Sequence, residues 1–252
     1  MNVTAWSDGL EVTGGGTGIV SHAGLGLLRR LADKTGLTGG FSRALWSGRV
    51  LGHDRGRVLA DLACVIAGGA RAISDFRVLA DQKEAFGQVA SVPAAYRMLE
   101  EIADGGERTA RKLAAAVSTA RRHAWSQILA RHGTLPGVRV ADKVLDGVTC
   151  IRLDATVTFE LDKELAEANF KGYGHHPLLA FCDNTSEPLA WMLRKGSAGS
   201  NTAADHIAVV DAAIAALPPA FRRNLMATVD GPGSAASCSS TWISSPPAAV
   251  TR

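Results

Sequence analysis

At 252 residues the chain is long enough for one large domain or two modest ones. With 46% hydrophobic and 20% charged residues it has the composition of a folded protein, which excludes wholesale disorder. The formal net charge of +3 excludes partner selection by bulk charge, but its distribution is uneven: residues 1–146 carry 19 Lys+Arg against 14 Asp+Glu, a net of +5, and residues 147–252 carry 8 against 10, a net of −2. A basic first half beside a slightly acidic second fits a nucleic-acid-binding module joined to a metal-dependent catalytic one, and ordinary charge scatter fits equally.

Residues 1–21 are polar and glycine-rich and read as a flexible lead-in. Gly14–Gly18 lacks the Gly-Lys-Ser/Thr ending and the preceding apolar strand of a phosphate loop. From 22 to 137 the pattern is helical. Leu25, Leu28 and Leu31 have helical spacing, and Gly36 supplies a stop. Val58–Ala67 is a strongly apolar helix ending at Gly68-Gly69, and Ile73–Ala85 reads as a third. Pro93 opens a fourth, because proline is tolerated in a first turn. Glu107–Arg131 is a long basic amphipathic helix carrying Arg108, Arg111, Lys112, Arg121, Arg122 and Arg131.

Then the period changes. Gly133–Gly137 is a linker, and Val148–Phe159, Pro177–Cys182 and Pro188–Leu193 are β-like runs. Residues 201–217 form a helix, capped by Ser200 or Asn201 and ended by Pro218-Pro219. Leu225–Val229 is a fourth strand. The tail, residues 232–252, is rich in Ser, Ala and Pro, contains no Asp or Glu, and is expected to be disordered.

Cys64, Cys150, Cys182 and Cys238 are widely spaced with no C-x-x-C, which argues against a zinc ribbon. The first three lie in apolar runs and read as reduced core residues. The N-terminus lacks the pattern of a signal peptide, and no segment has the apolar length of a membrane span. A cytoplasmic location and no membrane partner are expected.

Two carboxylates stand out. Asp154 interrupts the run Val148–Phe159, and Asp230 ends the run that follows Asn224. A charge in a buried strand is costly unless compensated, and a divalent cation compensates two converging carboxylates. An Asp capping a turn at a strand end is the alternative for either site alone. In a β-β-β-α-β order the crossover helix returns the last strand parallel beside the first. Asp154 and Asp230 then become neighbours suited to one or two Mg²⁺ ions. The expected fold class is α/β, a mainly helical N-terminal region followed by a partial ribonuclease-H-like domain over 138–231.

The segments Phe170–Phe181, Glu187–Ala190 and Arg194–His206 resemble the DDE transposases of the thirteen-eighty insertion-sequence family. Ala198–His206 is their most specific part, and the resemblance extends from about Gly24 to Gly231. It implies that Asp154 and Asp230 are the first and second catalytic acids. It also implies Mg²⁺ (or Mn²⁺) as cofactor and the ends of a mobile element, double-stranded terminal inverted repeats, as substrate. A homodimer is an open alternative to a monomer.

One departure matters. The family's third acid, a downstream glutamate on a helix, has no counterpart, since nothing after Asp230 is acidic. The tail looks like a truncated or out-of-frame gene end, so impaired cleavage is expected. The alternative is a non-catalytic DNA-binding remnant.

In the first half, Leu79–Leu99 has the cadence of a helix-turn-helix, with Tyr96 and Arg97 facing DNA; a plain helical bundle is the competing reading. Arg121 and Arg122 grip phosphates or line a solvated face. His175 and His176, beside Pro177, read as structural. Trp125 and Trp191 read as core rather than as base-stacking platforms. Leu153–Val157 faintly resembles a haloacid-dehalogenase-like nucleophile loop, but that fold needs a helix soon after the Asp, and two more strands follow instead.

Overall fold

The computed structural model describes residues 22, 24–48, 52–140, 142–159, 166–169, 172–199 and 202–229, and the backbone of 230 and 238–244. Gly14–Gly18, Ser200 and Asn201 lie outside the described residues. The chain divides into two compact units, Met1–Ala124 and Trp125–Arg252. The division falls inside a helix, upstream of the expected boundary at the Gly133–Gly137 linker.

The first unit is helical: α1 (Leu25–Lys34), α2 (Leu37–Ala44), α3 (Arg55–Ala67), α4 (Arg77–Ala80), α5 (Lys83–Phe86), α6 (Val92–Asp104) and the start of α7 (Gly106–His132). Gly36 stops α1 as expected, with φ of 76°. It also N-caps α2, a helix that Gly39 and Gly40 obscure in the sequence. One glycine of this unit serves close packing: a Cβ on Gly56 would lie 2.1 Å from the Ser42 backbone nitrogen, so α3 crosses α2 in near contact. Asp54 caps α3, accepting from the Arg57 N–H at 2.8 Å.

The helix expected over Ile73–Ala85 is instead three single turns: a 3₁₀ turn at Ile73–Phe76, then α4 and α5. Its apolar residues still do their work. Phe76, Leu79 and Phe86 are fully buried with Val58, Val65, Ala95 and Met98. Burial of three large side chains offsets the lost helical continuity, at about 1.5–3 kcal/mol each.

A second device holds this unit together. The Arg29 guanidinium is fully buried; it bonds Asp61 at 2.6 Å and Thr38 Oγ1 at 3.1 Å, and donates to Asp33. Burial pushes the Asp61 carboxyl up, while Arg29 pulls it down.

The second unit begins in the last turns of α7 and continues as β1 (Val138–Val140), β2 (Lys143–Leu145), β3 (Thr149–Ala155), β4 (Thr158–Phe159), β5 (Glu167–Asn169), β6 (Gly172–His175), β7 (Leu178–Cys182), β8 (Glu187–Met192), α8 (Ala203–Ala216), β9 (Asn224–Asp230) and β10 (Cys238–Ser244). The main sheet has five strands in the order β10-β9-β3-β7-β8. β7 and β8 follow β3 as an antiparallel meander. α8 then crosses over, packing on β8, β7 and β3, and β9 returns parallel to β3. Two smaller sheets were not expected: β1-β2 precedes β3 in sequence, and β4-β6-β5 lies between β3 and β7, with only β4 inside an expected run, Val148–Phe159.

The tail departs from expectation at one place. Cys238–Ser244 forms β10, antiparallel to β9. Thr241, Trp242 and Ile243 favour extended backbone, and the outer edge of β9 offers a row of hydrogen-bonding groups to pair with.

Cys64, Cys150 and Cys182 are buried free thiols, as expected, and burial pushes those of Cys64 and Cys150 up to about 11. Both should resist iodoacetamide in the folded protein at pH 8 and react readily in denaturant, where the ordinary thiol value of about 8.5 returns; mass mapping of the alkylated sites checks this. Arg29→Met should cost about 3–5 kcal/mol, because it removes the cation that Asp33 and Asp61 share and leaves Arg57, 3.8 Å from Asp61, beside them; urea titration followed by circular dichroism measures it.

Candidate active site

β3 alternates in a way that separates core from site. Ile151 and Leu153 are fully buried, whereas Arg152 and Asp154, on the opposite face, are half-exposed. Cys150 starts that second face and is covered by Val138 and Met226. The face therefore opens progressively toward the C-terminal end of β3, where Asp154 sits with 44% of its side chain exposed.

The parallel register decides what Asp154 meets. Cys150 lies opposite Met226, Arg152 opposite Thr228 and Leu153 opposite Val229. One step further, Asp154 and Asp230 occupy adjoining positions on neighbouring strands, whose backbones run roughly 5 Å apart. On its other side Asp154 lies opposite Leu179 of β7.

Arg152 stands beside Asp154. Its Nη1 is 3.9 Å from Asp154, but its Nε donates to Asp183 at 3.0 Å, and its guanidinium carbon stands 5.3 Å from the centre of the Phe181 ring. The guanidinium thus leans toward Asp183 and leaves the outer side of Asp154 accessible. A half-exposed carboxylate with a second acid at the adjoining register position is the hard-oxygen donor set that Mg²⁺ or Mn²⁺ takes, so these residues fit such an ion. Among the described residues, no three or more His, Cys, Asp or Glu side chains converge as a ready metal cluster.

The start of β3 is held by a residue the sequence reading missed. Asn184, buried in the turn after β7, accepts from the Cys150 N–H at 2.9 Å. Its amide donates to the carbonyls of Pro136 at 2.8 Å and Val148 at 2.9 Å. In sequence it is an ordinary turn asparagine; only its three distant partners reveal the latch. Trp125, 2% exposed, donates to Glu187 at 2.5 Å and packs edge-to-face on Phe221, and so is core as expected. His175 and His176 are buried, and His176 Nδ1 pairs with the Ala198 carbonyl at 2.8 Å, which suits the structural reading. Arg194 ties this segment to α8, bonding the His176 carbonyl at 3.0 Å and Asp205 at 3.3 Å.

Trp191 differs from expectation. It is 69% exposed rather than core, because β8 is the sheet edge and position 191 faces away from α8.

The residues expected to touch DNA separate by burial. Tyr96 is 54% exposed and Arg97 beside it on α6 is also exposed. Ahead of α6 stands the single turn α5, not a full helix, so the expected helix-turn-helix lacks its first long arm. Arg122 is exposed and its guanidinium donates to Thr119 at 3.0 Å. Arg121 is only 6% exposed, which removes it from the phosphate-gripping surface expected of it. Arg108, Arg111, Lys112 and Arg131 are exposed along α7. No helix among the described residues is long and apolar enough to cross a membrane.

A family model described as transposase DDE domain group 1 matches residues 6–229. No curated protein and no solved structure matches the chain.

Asn184→Ala should lower stability by about 2–4 kcal/mol, since it leaves a buried N–H and two carbonyls without their partner. Hydrogen exchange at the Cys150 amide should accelerate with it, and protection equal to that of the unaltered protein would rule out the latch.

Proposed function

The chain belongs to the transposase DDE domain group 1 family, and we propose that it cuts and rejoins double-stranded DNA at the ends of a mobile element. One observation supports this reading: β3 and β9 pair in parallel as far as Leu153 opposite Val229, and the next residue of each strand is an acid, Asp154 and Asp230. The strand order β9-β3-β7-β8 with its crossover helix supports a ribonuclease-H-like catalytic domain. The residue strings over Phe170–His206 support the thirteen-eighty insertion-sequence family in particular.

In this proposal Asp154 and Asp230 hold Mg²⁺ or Mn²⁺, which lessens the repulsion between two neighbouring carboxylates. The ion, when bound, activates the attacking oxygen and stabilises the leaving oxygen of a phosphodiester. Arg152, kept in place by Asp183, supplies positive charge beside the scissile phosphate. The exposed Tyr96, Arg97 and Arg122 contribute to holding the duplex of the terminal inverted repeats.

A second reading is DNA binding without cleavage. It is favoured by the exposed Arg108, Arg111, Lys112, Arg122 and Arg131 along α7, which can hold phosphates without taking part in cleavage. The two readings part in one assay, in which a duplex carrying the element's terminal repeats is incubated with the protein and Mg²⁺ or Mn²⁺. The cutting reading expects strand cleavage that Asp154→Asn lowers at least about a hundredfold, comparable to the removal of one transition-state-stabilising group. Salt-sensitive binding with no nicked or joined product would leave binding alone.

A further inference from the structure

The face that carries Asp154 continues across the sheet beyond the two acids. Asp154 lies opposite Leu179, and Leu179 lies opposite Trp191 on the edge strand β8. Residues paired in this way share a face. Asp154, Leu179 and Trp191 thus form a row, with Trp191 two strands, or about 10 Å, from the acid. Leu179 is half-buried and Trp191 projects with most of its surface in solvent. In the neighbouring row Arg152 stands beside Phe181. An exposed indole on the same open face as a cation and a carboxylate, about 10 Å from the carboxylate, is matched to a nucleotide chain: a base for the indole, a phosphate for the arginine.

The geometry points to Trp191 as a stacking platform for an unpaired nucleobase next to the phosphate held at Asp154. The inference rests on the reading of this face as a DNA-cutting site. It adds that the strand end is splayed from its duplex when it docks, because a base still stacked within a duplex has no face to give the indole. An aromatic surface stacks any base, so Trp191 positions the strand without reading its sequence. A partner strand added to the β8 edge is a poorer occupant. Pro188 lies in β8 and lacks a backbone N–H for such a ladder.

The test uses the full chain and a short fluorescent oligothymidylate as probe, followed by anisotropy in the absence of cleavage. Trp191→Ala is expected to weaken binding about 5- to 100-fold, the range reported for loss of one base–aromatic stack. Trp191→Phe should retain most of the affinity, and Trp191→Leu, equally apolar but without a π-face, should behave as the alanine variant. Oligothymidylate should quench part of the tryptophan emission of the unaltered protein and lose that effect in Trp191→Phe. The inference is overturned if the unaltered protein does not bind the probe, if Trp191→Leu binds as well as Trp191→Phe, or if the quenching survives in Trp191→Phe. Self-association that disappears in Trp191→Ala while probe binding stays unchanged would assign the face to a second copy of the chain and equally overturn it. Since no step of this assay reads cleavage, its failure is distinct from failure of the duplex-cutting assay.

Discussion

The parallel pairing of Thr149–Ala155 with Asn224–Asp230 is the constraint on which the second unit depends. Two parallel strands cannot be joined by a hairpin; the chain must cross over, and here α8 makes the crossing. That helix covers the face bearing Ile151 and Leu153, so the opposite face is the one left open. Parallel strands also end together. Whatever residues stand at their C-terminal ends are brought into one place, and these are Asp154 and Asp230.

Around this pairing, the supporting contacts restrain β3 rather than enlarge the core. Asn184 anchors its first residues by three hydrogen bonds to groups far apart in sequence. Arg194 joins the segment after β8 to the first turn of α8. Trp125 fixes the start of β8 through Glu187. The helical unit uses a comparable device in Arg29 with Asp61 and Asp33. Desolvation makes such a buried cluster a poor source of net stability, and its stronger effect is to penalise arrangements in which the charges do not meet.

Side-chain type was a good guide where it set a period and a poor one where burial decided the role. The tryptophans show this directly. Trp125 follows Arg121-Arg122-His123 yet is sealed against Phe221, whereas Trp191 lies in the more apolar Pro188–Leu193 and stands exposed on a sheet edge. Arg121 and Arg122 are neighbours on one helix, and a single step of about 100° turns the first inward and the second to solvent. α2 was hidden by Gly39 and Gly40, which lower helical propensity; at Gly40 a Cβ would lie 3.0 Å from the Ala116 Cβ of α7, so there the glycine permits a close helix contact. The stretch Ile73–Ala85 has helical spacing but breaks into separate turns, because burying Phe76, Leu79 and Phe86 outweighs continuity.

By itself the sequence determined the change from helical to strand periodicity near residue 137, the order of three strands, a helix and a strand, and the placing of an acid on the first and last strands. These follow from local patterns of apolar residues, prolines and caps, which the chain carries wherever it lies. The same order also led to the parallel return of the last strand beside the first. Tertiary structure alone decided that Arg152 turns toward Asp183, that Asn184 latches β3 and that Trp191 faces solvent. Each of these depends on which side chains become neighbours and which face α8 covers, and such side-chain meetings leave no mark in the local pattern of residues.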